Sequence, residues 1–230
     1  MVSIYLYVPN LIGYLRIVLV FLGYGLALVD YRITVVSYML SQLLDAADGY
    51  AARVLGQSST FGAVLDMVTD RASTACLCIV LGALYPQYVA GLCSLIMLDL
   101  FSHWYHTSAT RTGTHKKSSN WLVNVYYSRK VLFTVCAATE LWYMSLYMMH
   151  FTPGPALPLP ASWGLAPIGL WRAACYASTP LFGFKQLTNV VQLYMACEAM
   201  VRSVGEQSGH GAAGEASAAS QSGVQLGLPF

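Results

Sequence analysis

Charge is what this chain has least of. Only 10 % of its 230 residues are Asp, Glu, Lys or Arg, where a soluble domain carries about a quarter. So few charges cannot cover the surface of a soluble globule this size. The net charge of +2 excludes the basic surface of a nucleic-acid binder. Disorder is excluded too, because 57 % of the residues are hydrophobic and the mean hydropathy is +0.55. Apolar residues nowhere alternate with period two, which argues against a membrane β-barrel. There is no internal repeat of the kind common in transporters. A signal peptide is not expected: no basic region precedes the first apolar run, and no small-residue cleavage pattern follows it. Cys76, Cys78, Cys93, Cys136, Cys175 and Cys197 all sit in apolar stretches without zinc or redox spacing. They are expected to be buried small hydrophobes rather than a disulfide framework.

What is present is apolar sequence in helix-sized blocks, so the fold class is an all-α membrane protein. A spanning helix needs about 20 mostly apolar residues. Six segments meet that length: 11–29, 32–54, 62–85, 87–109, 130–150 and 167–201. Tyr85, Pro86 and Gln87 break a long charge-free run into two helices. Pro153, Pro155, Pro158, Pro160 and Gly164 make the next connection a loop or re-entrant stretch. The reading is a membrane domain over 1–202 and a disordered, Gly/Ala/Ser-rich tail over 203–230. Arg53, Arg111, Lys116, Lys117, Arg129, Lys130 and Arg202 cluster on one side, which puts both termini in the cytosol.

The acids carry the chemistry. Four of the ten acidic residues are Asp45, Asp48, Asp66 and Asp70. All lie at the ends of apolar helices, where an unpaired charge is costly. Asp45 and Asp48 share one face of the second helix, and Asp66 and Asp70 share one face of the third. A short connection makes these helices antiparallel neighbours, so both acidic faces lie at one membrane depth. Four carboxylates at close range coexist ionised only around cations. Hard oxygen ligands suit Mg²⁺ or Mn²⁺, and four could hold two ions, the arrangement that clamps a phosphoryl group in transfer. Ion pairs with Arg53 and Arg71 are the alternative, but two arginines cannot neutralise four acids. A cation pathway through a transporter is another. Gly49 and Gly62 either pack helices closely or clear space for a polar ligand. Asp99 and Glu140 are expected to face the bundle interior in structural hydrogen bonds, with Lys185 pairing one of them or facing a cavity. Asn10 and Arg16 are weaker candidates for substrate contact. His103 and His106 are expected to pack at the interface, and Trp104, Tyr126, Tyr127 and Trp142 to form interfacial belts.

In order, the residues read Asp45-x-x-Asp48-Gly49-x-x-Ala52-Arg53, eight residues, Gly62, three residues, Asp66, three residues, Asp70. This spacing resembles the complete signature of the CDP-alcohol phosphotransferase family. The resemblance implies a six-transmembrane-helix bundle that transfers a substituted phosphate from a CDP-linked donor to an alcohol and releases CMP. By position it makes Asp45, Asp48, Asp66 and Asp70 metal ligands for Mg²⁺ or Mn²⁺, with two ions expected. It makes Asp70 the general base, and Gly49, Arg53 and Ser59 donor contacts. The stretches Val8–Tyr14, Phe61–Arg71, Ser102–Trp104 and Tyr126–Arg129 are similar to eukaryotic family members whose donor is CDP-diacylglycerol and whose acceptor is myo-inositol. The resemblance also implies a homodimer in the endoplasmic reticulum or Golgi with its site facing the cytosol. Another acceptor alcohol within the family stays open at this point.

Overall fold

The structure is a computed structural model that describes residues 3–111, 125–126, 128–158 and 167–222; the side chains of 110, 111, 129 and 204–222 are not among those described. Lys116, Lys117, Tyr127, Pro160 and Gly164 lie outside the described residues.

Each apolar segment forms a helix, and the breakers fall between them. The helices are α1 Val8–Gly25, α2 Tyr31–Val54, α3 Thr60–Leu84, α4 Val89–Arg111, α5 Arg129–Phe151 and α6 Leu170–Ser222. Pro9 stands in the first turn of α1, where a missing N–H costs nothing. Asp30 caps α2 by accepting from the Arg32 N–H at 2.9 Å. The turn expected at Tyr85–Gln87 is a short 3-10 turn, Pro86–Tyr88. The proline-rich connection begins without helix, and Ala156–Leu157 (β1) pairs antiparallel with Ile168–Gly169 (β2).

The chain divides into two units, residues 1–100 with 129–186 and residues 101–128 with 187–230. In the first, α1 packs along α2 and α3, and α5 contacts both α2 and α3. Gly23 permits the α1–α2 approach: a Cβ there would lie 3.2 Å from that of Ser37. Thr34 uses that proximity to donate to the Gly23 carbonyl at 2.9 Å. The core joins Tyr38, Leu77, Leu81, Leu92, Tyr143, Tyr147 and Phe182. Trp142 stacks on Phe182 with ring centroids 3.8 Å apart, so it belongs to this packing rather than to a belt. In the second unit Ala109, Tyr126 and Ala196 are buried. There Ser102 Oγ lies 3.2 Å from His103 Nδ1.

The helix α6 continues to Ser222, past the boundary expected at 202. Alanine, glutamate and glutamine recur in that stretch and favour helix, which offsets its glycines. All six cysteines are free, as expected; Cys78 and Cys175 are buried and Cys93 is exposed.

Among the described residues, three helices are long and apolar enough to cross a membrane by length and composition: Val8–Gly25, Thr60–Leu84 and Lys130–Phe151. The other expected spans carry more polar residues. In α2 these lie inside: Thr34, Ser37, Ser41 and Asp48 are buried. Outside, Phe21, Ile79 and Phe133 are exposed. Apolar groups outside and polar groups inside suit a lipid solvent.

Candidate active site

The connection from α2 to α3 brings the four aspartates together. Leu55 closes α2 by donating to the Ala51 carbonyl at 2.9 Å, and Gly56 then turns the chain at φ +61°. The left-handed region suits glycine and strains other residues. Ser59 caps α3, its hydroxyl accepting from the Gly62 N–H at 3.0 Å. Helix periodicity does the rest, placing Asp45 and Asp48 opposite Asp66 and Asp70. Carboxylate oxygens of Asp45, Asp48 and Asp66 all lie within 4.8 Å of one another.

The partner of these acids is Arg16 of α1. Its guanidinium lies 2.7 Å from Asp45, 2.9 Å from Asp48 and 2.7 Å from Asp66, and it also donates to Asp70. The Arg16 side chain is only 1 % exposed. The sequence points to cations as the counter-charges, with Arg53 and Arg71 as the weaker alternative and Arg16 only as a weak candidate for substrate contact. The missed signal was the cost of an arginine inside an apolar helix, which demands a partner. Arg53 makes no ion pair with the four acids among the described residues. Arg71 Nη2 reaches Asp70 at 3.8 Å, but its Nη1 bonds both oxygens of Asp99, at 2.8 and 3.0 Å. Lys185 Nζ lies 3.8 Å from the same Asp99. Tyr38 donates its hydroxyl to Glu140. Asp99 and Glu140 are thus paired internally, as expected, and Lys185 sides with Asp99.

Beside the aspartates lies a cleft of about 190 Å³. Asp48 and Asp66 line it together with Gly49, Arg53, Ser59 and Gly62. The three positions that the resemblance makes donor contacts, and the weaker candidate Asn10, thus border one cavity with two of the expected metal ligands, whereas Arg16 does not line it. Gly62 is needed for packing: a Cβ would lie 2.7 Å from Asn10 Oδ1. Asn10 is held there by its Nδ2 donation to the Ile4 carbonyl at 2.6 Å. At Gly49 a Cβ would meet Arg53 at an ordinary 3.5 Å, so this glycine clears space rather than relieving a clash. The cap and first turn of α3 line the cleft through Ser59, Gly62 and Ala63, and the helix dipole there favours an anion.

The donor set fits divalent cations. It consists of hard carboxylate oxygens, more than one arginine can neutralise, and a cationic group already sits among them.

The family model for CDP-alcohol phosphatidyltransferase matches residues 6–201. The chain belongs to this family. A fission-yeast CDP-diacylglycerol–inositol 3-phosphatidyltransferase is 40 % identical over 220 residues, 89 % of this chain and 93 % of the relative. The human enzyme of that name is 43 % identical over 205 residues, 86 % of this chain and 92 % of the relative. An Arabidopsis enzyme of the same name is 35 % identical over 211 residues, 86 % of this chain and 90 % of the relative. No solved structure is a significant match. As a CDP-alcohol phosphatidyltransferase family member the chain is an integral membrane protein, in agreement with its apolar helices.

Proposed function

We propose that the chain transfers a phosphatidyl group from CDP-diacylglycerol to myo-inositol, giving phosphatidylinositol and CMP. One observation carries this: the cleft that borders Asp48 and Asp66 also borders Gly49, Arg53 and Ser59. A nucleotide-linked pyrophosphate needs acids to hold cations, a cationic fork for phosphate and room beside both. The named relatives support inositol as the acceptor.

In this reading Arg53 and the N-terminus of α3 hold the donor's phosphates. Asp70 takes the proton of the inositol hydroxyl. That oxygen attacks the diacylglycerol-side phosphorus, a new P–O bond forms, and the bond to CMP breaks. Asp45, Asp48, Asp66 and Asp70 would hold Mg²⁺ or Mn²⁺, two ions by the resemblance, which neutralise pyrophosphate charge. Arg71 and Asp99 keep Asp70 in place. The charge placement favours a cytosolic site, and the resemblance favours a homodimer in the endoplasmic reticulum or Golgi.

The test supplies purified protein with CDP-diacylglycerol, Mn²⁺ or Mg²⁺ and labelled myo-inositol, and follows CMP and labelled lipid together. Both should appear in equal amounts and only with inositol present. CMP release with a different alcohol alone would change the acceptor. No CMP with any acceptor from folded protein would overturn the reading in favour of cation transport.

Arg53→Ala should weaken donor binding by roughly tenfold, the loss of one charge-assisted phosphate contact. Equilibrium binding of CDP-diacylglycerol measures it. An unchanged affinity removes Arg53 from the donor site.

A further inference from the structure

One guanidinium touching four carboxylates is an unusual way to use an arginine. Asp45 and Asp66 are 37 % and 48 % exposed, so the acids open outward. Arg16 reaches them from α1 and is buried. Gly13 keeps α1 close to α3 at this level, since a Cβ there would lie 3.0 Å from Leu65. The arm is therefore anchored on the inner side, while Asp48 and Asp66 border the cleft. An ion arriving through the cleft need not pass the arginine to reach oxygen.

Two features argue against a permanent structural lock. The first is charge. A single positive group leaves most of the four acids' charge uncompensated, and divalent ions compensate it better. The second is hydrogen bonding. Arg16 Nε is buried and meets no acceptor among the described residues. Most buried side-chain donors in folded proteins find an acceptor. The three carboxylates whose oxygens lie within 4.8 Å of one another, Asp45, Asp48 and Asp66, are all held by Arg16, so guanidinium and divalent ion draw on the same groups.

We propose that Arg16 is a tethered counter-cation: it holds the acid cage together without metal and is displaced from the carboxylates when divalent ions load. The inference rests on the reading that the four aspartates bind metal. Arg16 is then a competitor as well as a support. Apparent metal affinity equals intrinsic affinity reduced by the fraction of molecules whose cage is released from the guanidinium. Removing the arginine removes that reduction but leaves the metal-free cage to its own repulsion.

The test uses the full chain in detergent without CDP-lipid, so activity plays no part. Mn²⁺ binding is read from the electron-spin resonance of free Mn²⁺, and melting is followed in EDTA and in saturating Mn²⁺. Arg16→Gln should bind Mn²⁺ about tenfold tighter than wild type or better. It should melt well below wild type in EDTA, with the gap closing in Mn²⁺ because a ligand stabilises the form it binds. Arg16→Lys keeps the charge but loses the fork, so it should gain affinity by a smaller factor, about threefold. Unchanged or weaker Mn²⁺ affinity in both variants, or a melting gap of equal size with and without Mn²⁺, overturns the proposal. If Arg16→Gln does not fold, Arg16→Lys decides: affinity equal to wild type overturns it. Absence of Mn²⁺ binding in wild type overturns the metal reading itself, which is distinct from bound Mn²⁺ with parallel melting.

Discussion

Asp70→Asn protein is expected to fold, to bind CDP-diacylglycerol within a few-fold of wild type, and to turn over roughly a thousandfold more slowly. The magnitude follows from general base catalysis, which contributes about 10²–10⁴-fold. The amide matches the carboxylate in shape but cannot take a proton. Folding should survive, because Asp70 shares Arg16 with three other acids and removing one of four like charges relieves repulsion. Arg71 lies 3.8 Å from Asp70 and keeps its partner Asp99. Single-turnover assays at saturating metal and inositol separate the chemical step from binding. A near-wild-type rate would take Asp70 out of the proton path.

The second large effect concerns the ions. Chelation with EDTA should lower phosphatidyl transfer to the background rate, and added Mg²⁺ or Mn²⁺ should restore it. Asp48→Ala should not be restored at the same metal concentration. A lost metal ligand commonly removes several kcal/mol of transition-state stabilisation, and about 4 kcal/mol is roughly a thousandfold in rate. Asp48 and Asp66 each contact Arg16 and line the cleft, and Asp48 is the sharper choice because it is the more buried of the two. A rate–metal titration checks it: the variant's curve should shift to higher metal concentration or stay flat. Full activity in EDTA would remove the metal from the reaction.

The helices and the acid pairing could be read from sequence because both rest on local periodicity. Pro86 falls at the break between α3 and α4, and residues three or four apart share a helix face whatever surrounds them. The cleft residues Gly49, Arg53 and Ser59 are legible only through the family resemblance, and they border one cavity. Arg16 was harder. Its hydrogen-bonded partners Asp48, Asp66 and Asp70 lie 32, 50 and 54 residues away on other helices, and no local pattern ties it to them. The Tyr38–Glu140 pairing hides for the same reason, bridging α2 and α5 across 102 residues. The extension of α6 was masked by composition, since Gly, Ala and Ser together read as disorder while Ala alone favours helix.

The position of Arg16 ahead of its partners bears on how the chain is made. Synthesis runs from the N-terminus, so α1 emerges before α2 and α3. An acid adds to the free energy of inserting its helix, by about 2.5–3.5 kcal/mol at the helix centre and by less toward the ends, as for Asp48 and Asp66. Here the positive group is already waiting when Asp45, Asp48, Asp66 and Asp70 leave the ribosome. A helix bearing two acids therefore never has to be delivered to the bilayer without a counter-charge at hand. The order of the helices along the chain thus brings the positive group to the membrane ahead of the acids it holds.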